Sequence, residues 1–306
     1  MKPNKVIAYS ELSLAMIITG SATVIGKLII VDFPVLLASG LSLLIALLTI
    51  APIQYIVKKG IPKPTKVDFF YLVLQALFGL FLFRIFMLYA LDFTGAMEAG
   101  IITSTTPAWI ALVAFILLKE KIGFSKGLGI FLSVLGIIAI NIFSSSNGVT
   151  FNFMNIIGNL LVIGAVIGEA FFTIFRKPIS PKIDALSGTT YVILFGFIMF
   201  LPFAIYEAID FQFSNISIAG WLAMLYYGVV YTVISFILWF KGVMKVEAST
   251  AGVFTALMPI SAIILSNLIL DEKIYWFHGL GAILVLAGIL LSINIFSKKK
   301  IKNNSI

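Results

Sequence analysis

Ten predominantly apolar stretches, each long enough to cross a bilayer as a helix, follow one another along this chain with almost nothing between them. A spanning helix needs about 20 such residues, and that template fits residues 7–30, 34–57, 69–91, 95–118, 123–143, 154–175, 185–206, 217–240, 248–270 and 275–296. Charge and turn residues fill the breaks: Lys58-Lys59-Gly60-Ile61-Pro62-Lys63-Pro64, Ser144 to Gly148, and Arg176-Lys177-Pro178 to Pro181-Lys182. Every connection is short, and those at 118/123 and 270/275 demand tight hairpins, which leaves no room for a soluble catalytic domain. Composition agrees: 11% of the 306 residues are charged, less than half of the about 25% typical of a water-facing protein. The first run, behind Lys2 and Lys5, is too long for a signal-peptide core and reads as the first span.

Topology follows from the basic residues. With the N-terminus inside and ten alternating spans, the inside segments hold all of the 21 lysines and arginines except Lys27, Lys273 and the in-span Arg84. Cytoplasmic loops carry the Lys/Arg excess, so both termini are expected in the cytoplasm of a multi-pass cell (inner) membrane protein. The net charge of +8 therefore points to membrane topology and a lipid-bilayer partner, with no nucleic acid. The chain has no Cys and one His, His278, which excludes disulfides and thiolate metal sites; no cofactor and no metal are expected.

The sequence also repeats itself. Residues 96–137 align without gaps on 248–289, with identities Ala96/Ala248, Ala99/Ala251, Gly100/Gly252, Thr103/Thr255, Pro107/Pro259, Glu120/Glu272, Lys121/Lys273, Gly127/Gly279, Gly129/Gly281 and Gly136/Gly288 among others. A matched proline, four matched glycines and a matched Glu-Lys in one register mark an internal duplication. Each half holds five spans, and because five is odd the second half starts on the opposite side. The expected fold is thus all-α and polytopic, ten transmembrane helices in two inverted five-helix repeats, residues 1–150 and 151–306, the latter ending in a basic cytoplasmic tail. This architecture is frequent among secondary transporters.

The paired run Ala99-Gly100, Pro107, Glu120, Gly127-Leu128-Gly129, Gly136 and its partner from Ala251-Gly252 to Gly288, with Leu225-Tyr226-Tyr227-Gly228 through Trp239-Phe240, resembles the EamA-like branch of the drug/metabolite transporter superfamily. The resemblance implies a substrate cavity lined by spans 1, 3, 4, 6, 8 and 9, with spans 2, 5, 7 and 10 outside. It implies export of amino acids, drugs or other metabolites without fixing which. The chain departs from the family pattern at Thr19, before Gly20, and at Glu169.

Several residues carry chemistry of their own. Pro107 and Pro259, in spans 4 and 9, free the carbonyls of Thr103 and Thr255, which survive at mid-bilayer only where protein or water meets them. Each marks a kinked helix lining a site or, as the alternative, a packing kink patched by the hydroxyls of Thr103-Ser104-Thr105-Thr106. Glu169 lies roughly 10 Å inside span 6. An ionised carboxylate there costs at least about 2.5 kcal/mol, so it faces a wet cavity as an ammonium-binding or proton-coupling group, or else pairs with Arg176. Arg84 in span 3 cannot shed its proton; it binds a substrate carboxylate, snorkels, or pairs with Glu98. Glu11 and Lys27 read as interfacial. Tyr227, Tyr231, Ser235 and Trp239, spaced by four, form one face suited to stacking on an organic solute, or to packing. The glycines at 127, 129, 136, 279, 281 and 288 read as helix-packing contacts. The favoured function is a secondary transporter, an exporter of small polar, amino acid-like metabolites working by alternating access around a midplane cavity, and not an enzyme. The alternatives are a membrane enzyme acting on lipid or prenyl substrates and a non-transporting receptor or assembly subunit. Self-association is compatible with either.

Overall fold

A computed structural model describes residues 3–103, 105–118, 124, 127–129, 131–132, 135–136, 153–176, 178–243, 245, 254 and 257–292. The expected fifth span, residues 123–143, falls mostly outside these, as do Glu120, Lys121 and Thr255.

The described chain is helical throughout, apart from its connections. Helices α1 (Pro3–Asp32) and α2 (Val35–Lys58) are followed by α3 (Lys66–Ala76), a π segment π1 (Leu77–Leu82) and α4 (Phe83–Phe93), continuous as one span. Next come α5 (Ala96–Thr103), α6 (Thr106–Leu118), α7 (Phe153–Phe175) and α8 (Ala185–Ala208). A second continuous span joins α9 (Ile218–Leu225), a π segment π2 (Tyr226–Ser235) and α10 (Phe236–Val243), and α11 (Leu257–Leu270) and α12 (Trp276–Ser292) complete the described set. Six of these helical stretches are long and apolar enough to cross a membrane: Val6–Asp32, Val35–Lys58, Lys66–Phe93, Phe153–Phe175, Ala185–Ala208 and Ile218–Gly242. The protein is an all-α, polytopic membrane protein.

The fourth apolar run is not one helix. It breaks between α5 and α6, and Pro107 sits in the first turn after the break, where a missing N–H costs least. Hydroxyls close the frayed end: Thr103 donates to the Gly100 carbonyl at 2.8 Å, Thr105 to Ile102 at 2.7 Å and Thr106 to Thr103 at 2.7 Å.

Helices α2 and α8 are each 24 residues long and carry an internal proline at the eighteenth position, Pro52 and Pro202. They pack against each other, Gly40 meeting Ala204 and Gly196 meeting Leu43 and Leu80. The π segments also recur, each about midway along its span. Neither correspondence involves the motif that revealed the duplication.

Close approach is concentrated around the bundle axis. A side chain at Gly79 would collide with Phe172, one at Gly168 would meet the Phe78 carbonyl, and one at Gly20 the Met258 carbonyl. These contacts clamp π1 to α7 and α1 to α11, as small residues do in lipid. The sequence pattern pointed elsewhere: among the described residues nothing lies within 4 Å of a Cβ at Gly127 or Gly279.

Candidate functional site: a cavity on the bundle axis

Two adjoining cavities lie along the axis. One is lined by Met16 and Thr19 of α1, Gly79 and Phe83 of the third span, Thr106 and Ile110 of α6, Glu169, Phe172 and Thr173 of α7, and Tyr231, Ser235, Phe236, Trp239 and Phe240 of the eighth span. The other is lined by Thr19, Ala22, Thr23, Phe83, Met87, Thr103, Tyr227, Tyr231 and Met258. Helices α1, α5, α6, α7 and α11 and the two continuous helical stretches Lys66–Phe93 and Ile218–Gly242 thus supply the lining. The volumes are about 60 Å³ and about 10 Å³, far below the roughly 300–1,000 Å³ of sites that enclose an organic ligand. Among the described residues these two cavities hold a few waters' worth of room.

Glu169 is the acid of the lining. Its neighbours Gly168 and Ala170 are buried while its own side chain is partly exposed to the cavity, and its Oε2 lies 2.9 Å from the Thr106 hydroxyl. The expected alternative of a pair with Arg176 is corrected. Arg176 donates to the Ile183 carbonyl at 3.0 Å and stacks its guanidinium 5.1 Å from the Phe240 ring centre. Burial pulls that guanidinium below its ordinary value, and the nearby Asp184 and Asp68 oppose the shift.

The spacing of four in span 8 acquires a physical basis. Residues 226–235 form π2, whose turns close at i+5 rather than i+4, so steps of four stay near one face. Tyr227, Tyr231, Ser235 and Trp239 all line one or both cavities. The Ser235 and Thr19 hydroxyls approach at 3.1 Å, and both lie within donating distance of the Ala15 carbonyl, Thr19 at 2.8 Å and Ser235 at 3.5 Å.

Arg84 stands behind this wall. It is fully buried at 1% exposure, donates to Ser42 Oγ and Thr232 Oγ1 at 2.5 Å each, and lies 5.1 Å and 6.0 Å from the ring centres of Tyr227 and Tyr231. Among the described residues it has no carboxylate partner, and Glu98, the expected candidate, instead meets His278 Nε2 at 3.1 Å. The guanidinium therefore holds the two tyrosines from behind, and in this conformation the rings stand between it and the axis. Thr232 completes the arrangement by donating to the Tyr227 carbonyl at 2.7 Å, a bond five residues back that the π turn makes reachable.

The two ends of the bundle differ. Near the end away from Trp239, Lys27 Nζ lies 3.5 Å from Glu272 Oε1 and donates to the Thr94 carbonyl at 3.2 Å. Glu272 also accepts from the Ala96 N–H at 3.1 Å and from the Ser266 hydroxyl. This network ties α1, α5 and α11 together, and the Glu98–His278 contact adds α12. At the other end Glu11 pairs with Lys245 at 2.6 Å and Lys58 with Asp184 at 2.7 Å. Glu11 and Lys27, read from the sequence as interfacial, are both in ion pairs.

The sequence pattern singled out Thr103, Pro107, Glu169, Tyr227, Tyr231, Ser235, Trp239, Arg84, Thr255 and Pro259. Thr103, Glu169 and the span-8 set come together on the axis, Arg84 lies one layer back, Pro107 occupies the first turn of α6, Pro259 lies within α11, and Thr255 lies outside the described residues. Thr19, Phe83, Met87 and Thr173 were missed. Apolar and hydroxyl residues in a long apolar run carry no signal, and only the packing selects which of them face the axis.

The model of the EamA-like transporter family matches this chain twice, over residues 7–142 and 156–294. A helical bundle with an axial cavity and a family match across most of its length define the class: this is a membrane transporter. The chain belongs to the EamA-like transporter family of the drug/metabolite transporter superfamily. It is 44% identical over 288 residues to an uncharacterized transporter, YetK, of Bacillus subtilis (strain 168), covering 94% of this chain and 86% of that one. An uncharacterized transporter of Archaeoglobus fulgidus is 28% identical over 237 residues, 77% of this chain and 80% of the relative. A crystal structure of 15% sequence identity superposes with a TM-score of 0.63 over 94% of this chain and 96% of that one, a likeness of fold.

Proposed function

We propose that the protein is a secondary carrier of ten spans in two inverted five-span repeats. It exports small polar organic solutes bearing an ammonium group, amino acid-like compounds among them, by alternating access. The observation that carries this reading is Glu169, an acid partly exposed to an axial cavity, with a single hydroxyl within hydrogen-bond distance and no cation in ion-pair range among the described residues. A carboxylate at that depth needs a compensating charge, and an ammonium substrate supplies it. Tyr231, Trp239 and Phe83 offer ring faces for the organic part and for the cation itself. Thr19 and Ser235 offer hydroxyls.

The double family match and the recurrence of the α2/α8 and π1/π2 geometry support the repeat architecture. The positive-inside pattern orients it with Lys58, Lys182 and Lys245 in the cytoplasm. On that orientation the cavity leans toward the cytoplasm while the Lys27–Glu272 network closes the outer side, a state poised to receive an export substrate. Arg84 serves as the counter-charge for a substrate carboxylate only after Tyr227 and Tyr231 shift. The test is counterflow in proteoliposomes with a panel of amino acids, primary amines, nucleobases and neutral polyols. The reading expects saturable exchange of ammonium compounds and its loss in Glu169→Gln. Undiminished exchange in that variant would overturn it.

A further inference from the structure

The Thr106 hydroxyl lies 2.7 Å from the Thr103 carbonyl oxygen and 2.9 Å from Glu169 Oε2. A threonine hydroxyl has one hydrogen to donate and lone pairs to accept with, so it cannot donate to both oxygens at once. The Thr103 carbonyl has a particular need for it. The helical donor four residues on is Pro107, which has no N–H. Thr103 and Thr106 are each 2% exposed, and they line the two adjoining cavities, Thr106 beside Glu169 and Thr103 beside Tyr227 and Tyr231. Thr106 thus sits on the seam between an acid and a carbonyl made available by a helix break.

We infer that Thr106 is the coupling element of this carrier: its single hydrogen makes a proton and an ammonium group mutually exclusive occupants of the site. This rests on the ammonium-carrier reading above. When Glu169 carries a proton, its O–H donates to Thr106 Oγ1 and Thr106 donates to the Thr103 carbonyl, so both strong acceptors are closed. When the proton leaves, the Thr106 hydroxyl turns to the carboxylate and uncovers the Thr103 carbonyl. An ammonium group then finds two acceptors, a carboxylate oxygen and a carbonyl, on either side of one hydroxyl. One O–H bond of the carboxyl breaks for each monovalent ammonium bound. One positive charge leaves and one arrives, so the site is neutral in both states, as a low-dielectric interior favours.

Of the other ionisable groups on elements packed against α7, Lys66 is exposed at the start of α3 and the following are engaged elsewhere. Asp68 is held by Thr65 and the Ser180 N–H, Arg84 by Ser42 and Thr232, and Glu98 faces His278. Tyr71 packs on Phe70 and Phe175, while Tyr89 and Asp92 sit near Glu207 and Lys27 at the latched end. Tyr231, from π2, is the titratable residue that shares the cavity with Glu169.

The experiment reconstitutes the full chain and uses n-butylammonium as the probe. Two quantities are measured, self-exchange of n-butylammonium and its net movement driven by a pH gradient. The wild type is expected to do both. Thr106→Val is expected to lower gradient-driven movement by about tenfold or more relative to its own rate of self-exchange, the worth of a hydrogen bond to a charged group. Thr106→Ser is expected to restore it. Gradient-driven movement in Thr106→Val equal to wild type overturns the inference, as does a wild type that self-exchanges but ignores the gradient. Loss of self-exchange together with coupling in Thr106→Val marks the hydroxyl as structural and also overturns it. If the wild type shows no self-exchange at all, the ammonium-carrier reading fails first and takes the inference with it.

Discussion

Glu169 and Glu272 are both acids in a helical bundle, and their surroundings could hardly differ more. Glu272 is saturated: Lys27, the Ala96 N–H and the Ser266 hydroxyl converge on its two oxygens. Glu169 has one shared hydroxyl and a cavity. A carboxylate whose charge and lone pairs are met by the protein holds helices together, whereas one left unmet is completed, on the proposed reading, by a substrate or a proton. The two acids therefore divide the molecule into a latched end and a receptive middle.

The sharpest way to break this division is Glu169→Gln, which keeps the shape and removes the charge. Exchange of ammonium solutes should fall by about ten- to a hundredfold with the protein still folded by size-exclusion chromatography. Next comes Arg84→Met. The guanidinium is buried without a carboxylate among the described residues, and both of its hydroxyl partners retain carbonyl acceptors, Thr232 to Tyr227 and Ser42 to Ser39. Methionine of similar length should raise stability in detergent by about 1 kcal/mol, as replacements of buried charges do, while transport falls because the two tyrosines lose their support. A drop in thermal midpoint together with normal transport would make Arg84 purely structural. On the other side of the comparison, Glu272→Gln should loosen the latch by about tenfold. The readout is faster modification of a cysteine placed at Thr23 by an impermeant thiol reagent added from the Lys27 side; an unchanged rate would show that Glu272 does not gate.

The smallest effect belongs to Asp184, which caps α8 through the Ser187 N–H at 2.9 Å and pairs with Lys58. Partial burial raises its carboxyl, but Lys58 and the Ser187 contacts outweigh this and hold it below the ordinary range. Its stabilisation is thus complete above the unfolded value near 4 and fades as pH falls through the lower folded value. Asn caps a helix as well as Asp does, and the Lys58 side chain is 45% exposed, so Asp184→Asn should cost only about 0.5 kcal/mol. Its thermal midpoint should match wild type once the pH is low enough to protonate Asp184.

Much of this was legible before any coordinates. Apolar run lengths anticipated the six helices that are long enough to cross a membrane among the described residues, because lipid tolerates little else, and a proline within an apolar run marked the break between α5 and α6. Glu169 stood out because a charge at that depth is expensive wherever it occurs. The four-residue ladder from Tyr227 to Trp239 was visible too, though not the π segment that keeps it aligned. The pairings were harder to foresee. Arg176 and Glu98 were the plausible partners by proximity in sequence for Glu169 and by charge for Arg84, yet packing turned each toward another group.

The sequence by itself determined that this chain is a helical membrane protein with a duplicated plan and a short list of costly polar residues, because solvation in lipid acts on each segment separately. Only the tertiary structure decided which of those residues meet: that Glu272 is bound and Glu169 is open, that Arg84 backs the tyrosines, and that one hydroxyl serves two acceptors. Such choices depend on distances of a few ångströms between residues far apart in the chain, and the close approaches at Gly20, Gly79 and Gly168 set those distances.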